Sequence, residues 1–90
     1  MINATLVLTR SADDGAEMYR KYFVVADFGL KRGEGNASII PMSAGCPMPE
    51  ADRFSVLGGE QEALLSAVDK IKALPDNEGF TATMDFEPSR

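Results

Sequence analysis

Along residues 2–9 the chain alternates strictly: Ile2, Ala4, Leu6 and Leu8 take one parity, Asn3, Thr5, Val7 and Thr9 the other. A period of two predicts a strand, and the β-branched Thr5, Val7 and Thr9 suit it. Arg10 and Ser11 make a turn. Ser11, with Asp14 three residues on, reads as a capping-box variant opening a helix. Asp13 and Asp14 suit the positive end of its dipole. Tyr19, Tyr22, Phe23, Ala26 and Leu30 then recur at offsets of three and four, the stripe of an amphipathic helix. Lys31, Arg32 and Gly33 fit its carbonyl end. A second signal competes. Tyr22, Phe23, Val24 and Val25 have strong β propensity, and Gly15 and Gly29 weaken a long helix. The helix either runs past Val25 or yields to extended chain near Tyr22 or Phe23.

The second half is plainer. Residues 36–43 form a second strand around Ile39, Ile40 and Met42, and Pro41, which has no N–H, assigns it to a sheet edge. Gly45, Pro47 and Pro49 break residues 44–50 into a loop. Residues 53–57 form a third strand with Phe54 and Val56. Gly58 and Gly59 turn the chain into a helix whose apolar face is Ala63, Leu64, Ala67, Val68, Ile71 and Leu74. Pro75 stops it, because the residue before a proline avoids the α region. Phe80, Ala82, Met84 and Phe86 then alternate with Thr81, Thr83, Asp85 and Glu87, a fourth strand.

Strand–helix–strand–strand–helix–strand is the order of a split βαβ unit. It predicts an α+β fold, a ferredoxin-like βαββαβ two-layer sandwich with an antiparallel sheet and two helices on one face. Right-handed crossovers place the first and third strands in the centre. Pro41 on one edge, and Asp85 and Glu87 on the other, fit that arrangement. The open face would carry Thr5, Val7, Leu57, Thr81 and Thr83, with Ile39 or Ile40, and these are the candidates for a ligand or interface surface. In this element order the chain resembles ACT-like and related small ferredoxin-like regulatory domains. The resemblance implies binding of small metabolites and pairing through the sheet. It would put a ligand near residues 9–14, where Asp13 and Asp14 oppose a carboxylate.

Composition narrows the function. Ninety residues make a single domain, residues 1–90, because two cores of half that size would not stand alone. A net charge of −5 and a pI near 4.5 argue against nucleic acid and against an anionic membrane. No apolar run is long enough to span a membrane or act as a signal, and one cysteine forms no internal disulfide. These features point to the cytoplasm. Without histidine there is no His-based triad or His metal ligand, and one cysteine holds no zinc knuckle or iron–sulfur cluster. No cofactor or metal is implied.

Some chemistry-bearing positions stand out. Gly45 and Cys46 lie in the proline-rich loop, and Arg53 could lower the thiol pKa, although Glu50 and Asp52 oppose it. Glu50 and Asp52 around Arg53 could serve as acid and base; a solvated loop is the plainer reading. Gly58 and Gly59 could cradle an anion, but Glu60 and Glu62 repel one. Met42, Met48 and Met84 read as core or interface filler. The leading expectation is a non-enzymatic regulatory or ligand-sensing module, a homodimer paired through its open face. The alternatives are an acidic adaptor or inhibitor domain that binds a protein partner, or a small enzyme using Cys46 or the Glu50 and Asp52 pair.

Overall fold

The computed structural model describes residues 1–88, and the side chains of residues 1–86. Strands β1 (Ile2–Ser11), β2 (Glu17–Phe28), β3 (Glu34–Pro41) and β4 (Arg53–Leu57) come first. Helix α1 (Gly59–Lys72), a short 3-10 turn (Pro75–Asn77) and β5 (Thr81–Pro88) follow. The strands form one antiparallel sheet in the order β4-β3-β2-β1-β5. The first four make a meander. The helix then carries the chain from the β4 edge across to β5 at the opposite edge.

This is an α+β fold with five strands and one helix, and it overturns the two-helix ferredoxin-like expectation. The error lies between residues 11 and 33. Residues 12–16 close a β hairpin in place of a helix cap: Ala12 N–H donates to Ala16 O at 2.7 Å, and Ala16 N–H to Asp14 Oδ1 at 2.9 Å. The strand–helix turn expected at residues 9–14 is therefore absent. The apparent helical stripe is strand β2. Tyr22, Val24 and Ala26 are buried on one side, while Phe23 and Val25 point to the other. Aromatic and β-branched residues on both parities fit a central strand paired on both edges, here with β1 and β3. A long helix would also have had to absorb two glycines. Tyr19 is exposed, and Leu30 is fully exposed in the β2–β3 turn.

Two strand positions also change. The strand holding Arg53, expected in the centre, is an edge, and the strand holding Pro41 is internal. Pro41 is tolerated for a directional reason. Ile39 N–H points to the β4 side, donating to Asp52 O at 2.8 Å, so the Pro41 nitrogen two residues on points the same way. The β4 ladder pairs only Glu34 to Ser38, so Pro41 lies beyond it and no ladder bond is lost. β5 is the other edge; Asp85 lies on it, and the Glu87 side chain lies outside the described residues.

The helix packs by the predicted face: Ala63, Leu64, Ala67, Val68 and Ile71 are buried. It lies mainly against β2, β3 and β4. The side chains beneath it grow along its length. Gly35 meets its first turn, and Tyr22 lies toward its far end, where Asn77 bridges the Tyr22 hydroxyl and Ile71 O. Gly58 and Gly59 enter the helix with φ of 113° and 83°, a conformation open chiefly to glycine. Both donate to Gly33 O, at 2.8 and 3.2 Å. Among the described residues no helix is long and apolar enough to cross a membrane.

Gly35 sets the closest approach of the two layers, since a Cβ there would lie 1.9 Å from Gly59 O. Gly35→Ala is expected to lower the unfolding free energy by about 1–3 kcal/mol or more, as overpacking against backbone does. A urea melt reads this directly; an unshifted midpoint would mean that β3 and the helix start do not touch.

Candidate functional site

Strand alternation leaves one sheet face without a covering layer. Antiparallel partners share a face, so the register lays this surface out in rows. Thr81, Thr9 and Tyr19 form the first; Thr83, Val7 and Lys21 the second. Asp85, Thr5, Phe23 and Ile40 form the third, and Asn3, Val25, Ser38 and Arg53 the fourth. Leu57 pairs with Glu34 further along and is 78% exposed. The structure thus places Thr5, Val7, Thr81 and Thr83 side by side on β1 and β5 of the uncovered face, whereas Leu57 shares that face but sits at the far corner, on the opposite edge strand. Of the two isoleucines, Ile40 faces out and Ile39 is buried.

The centre of this surface was not visible in the sequence. Phe23 and Val25 belong to β2, and a helical reading of that segment assigns them elsewhere. The period-two signal was present in residues 22–26, masked by the coincident helical spacing. The composition is mixed. Val7, Phe23, Val25 and Ile40 form an apolar middle, with threonines toward β5 and polar groups toward β4. Between β3 and β4 a shallow recess of about 320 Å³ is lined by Asn36, Ser38, Arg53 and Ser55, among others. Ser55 Oγ donates to Asn36 Oδ1 at 2.5 Å across it.

Compared with protein-family models, curated proteins and solved structures, the chain matches none. The geometry therefore has to carry the functional reading.

The thiol loop lies elsewhere. Cys46 packs against the core on the helix side of the sheet, whereas Arg53, in register with Ser38, is on the open face. The structure does not bring Cys46 and Arg53 together. Cys46 Sγ donates to Lys21 O at 3.4 Å and lies 3.2 Å from Ser43 Oγ, which accepts Lys21 N–H at 3.0 Å. With its hydrogen on Lys21 O, the thiol is left as the acceptor of the Ser43 hydroxyl. These contacts tie the loop to β2. Gly45 sits at its exposed tip with φ of 75°. Glu50 and Asp52 are exposed. Met48 is half-buried against the core, while Met42 and Met84 are exposed. Among the described residues no three potential metal ligands come together.

The same end of the molecule holds a buried polar chain. Arg20 Nη1 donates to Asn77 Oδ1 at 2.7 Å and to Asp76 O at 2.6 Å. Asn77, only 3% exposed, donates from Nδ2 to Ile71 O at 2.9 Å and to the Tyr22 hydroxyl at 3.2 Å. The Tyr22 hydroxyl donates to Pro47 O at 2.6 Å. The Arg20 guanidinium also lies 4.4 Å from the Phe80 ring centre. One side-chain chain thus links β2, the helix end, the 3-10 turn and the thiol loop.

Burial pushes the Tyr22 phenol above its ordinary value of 10.0, with the Asn77 hydrogen bond opposing that shift. The unfolded phenol ionises first as pH rises. Tyr22 therefore contributes stability that is full below pH 10 and is lost as pH climbs toward the folded value. Tyr22→Phe leaves Pro47 O and Asn77 short of a partner and is expected to cost about 1–3 kcal/mol at neutral pH. It should also flatten the loss of stability above pH 10. Urea melts from pH 7 to 11 test both; parallel alkaline slopes in the two proteins would refute the assignment.

Proposed function

We propose that this protein is a non-enzymatic binding module that works as a homodimer through its open sheet face. The observation that carries the reading is the apolar middle of that face. Val7, Phe23, Val25 and Ile40 lie on adjacent strands, with no layer over them among the described residues. A sheet face of this composition is stabilised by packing against a second face, about 10 Å away, as in sandwiches. A small-molecule ligand or protein partner touching the boundary would act by favouring one paired arrangement over others.

The polar chain and the thiol loop support this division of labour. Their groups satisfy one another at one end of the molecule, so they serve the scaffold, while the open face is left for contact.

Phe23→Glu and Val7→Glu are each expected to dissociate the dimer, weakening it at least about tenfold by burying a carboxylate in the contact. Light scattering after size exclusion, over a dilution series, reads the mass. Circular dichroism of each variant separates lost pairing from lost folding. A wild-type protein that stays monomeric would overturn the homodimer, and salt-sensitive binding to a basic partner would then favour the acidic interaction domain.

A further inference from the structure

The open face is lopsided in charge, and this selects a way of seating a second copy. Arg53 lies on the β4 margin, in the polar recess with Asn36, Ser38 and Ser55. Asp85 lies on the β5 margin of the same face, beside Thr5. Neither is in an ion pair among the described residues.

β2 is the middle strand of the five. A two-fold axis parallel to the strands and passing over β2 lays β3 on the partner's β1, with Ile40 over the partner's Thr5, and brings the Arg53 end of β4 toward the Asp85 end of the partner's β5. Arg53 and Asp85 belong to neighbouring rows, offset by about 7 Å along the strands, which an extended arginine stem spans. An axis across the strands would instead lay each strand on its own copy, with Arg53 near Arg53 and Asp85 near Asp85. The axis over β2 also sets Lys21 and Asp27 of β2 opposite their own copies; the Lys21 stem is long enough to carry its ammonium aside, and Asp27 lies 3.8 Å from the Met1 amino group.

The geometry points to a second copy of this chain as the occupant of the face, seated with the axis over β2 so that Arg53 reaches from the rim of its recess to the partner's Asp85, twice per dimer. This rests on the open-face homodimer and adds its orientation and its recognition pair. The pair lies at the margin of the contact, so it fixes register and suppresses other alignments more than it adds affinity.

The test uses Arg53→Glu, Asp85→Arg and Phe23→Glu in the full chain, with the mass followed by light scattering at low and moderate salt. Each charge reversal alone places like charges at both contacts and is expected to weaken the dimer about tenfold or more at low salt. An equimolar mixture of the two reversed proteins restores opposite charges at both contacts of the mixed dimer. That mixture is expected to associate within about threefold of the wild type, and the effect should shrink as salt rises. A mixture no tighter than its components overturns the orientation. If Phe23→Glu still dissociates the protein in that case, the open face stands as the contact and only the axis is wrong. If neither the reversals nor Phe23→Glu changes the mass, both the orientation and the open-face dimer fall.

Discussion

One helix has to serve five strands. A helix about 10 Å across covers only part of a sheet whose neighbouring strands are about 4.8 Å apart. Here it takes β2, β3 and β4, and β1 is buried by its flank. Beyond that, the helix-side residues of β5 are left half open, with Met84 39% and Phe86 46% exposed. The other face receives no layer among the described residues. Much of what is distinctive about the molecule follows from this shortage of cover: a middle strand apolar on both parities, a core confined to one side, and a contact surface on the other.

The single helix is held at both ends by different physics. At its start the restraint is steric. Gly35 removes the one side chain that would separate β3 from the Gly59 backbone, and Gly58 and Gly59 bond to Gly33 O. At its finish the restraint is polar. Asn77 accepts from Arg20 and donates to Ile71 O and Tyr22, and Tyr22 in turn holds the loop at Pro47. Buried polar groups satisfied to this degree rigidify their surroundings, and the same low dielectric makes a partial loss costly.

The parts that were legible in the sequence were those where only one pattern competes. Residues 2–9 and 81–87 alternate with no helical alternative, and they are strands. Residues 59–72 carry a clean apolar stripe between a glycine pair and a proline, and they are helix. Residues 14–32 satisfy two periods at once, because Tyr22 and Ala26 are four apart and also of one parity. Periodicity cannot choose between the two; what decides is pairing with β1 and β3, which a local reading does not contain. The misassignment then hid Phe23 and Val25 from the open face, although the threonine side of that face was found from β1 and β5. Arg53 was found as a cation but attached to the wrong group, since nearness to Cys46 in sequence says nothing about which side of the sheet each occupies. The Asn77 chain had no sequence signature. Its partners come from positions 20, 22, 47 and 71, and only the closed fold brings them together.

The β1–β5 ladder joins Ile2 to Pro88, a separation of 88 − 2 = 86 residues, whereas the three hairpin ladders join near neighbours. Closing such a span from an unfolded chain carries the largest loop entropy in the molecule. It becomes cheap once the meander has formed and the helix has crossed it, because the crossing itself delivers the chain to the free edge of β1. The long-range ladder of the sheet therefore leans on elements that are themselves local.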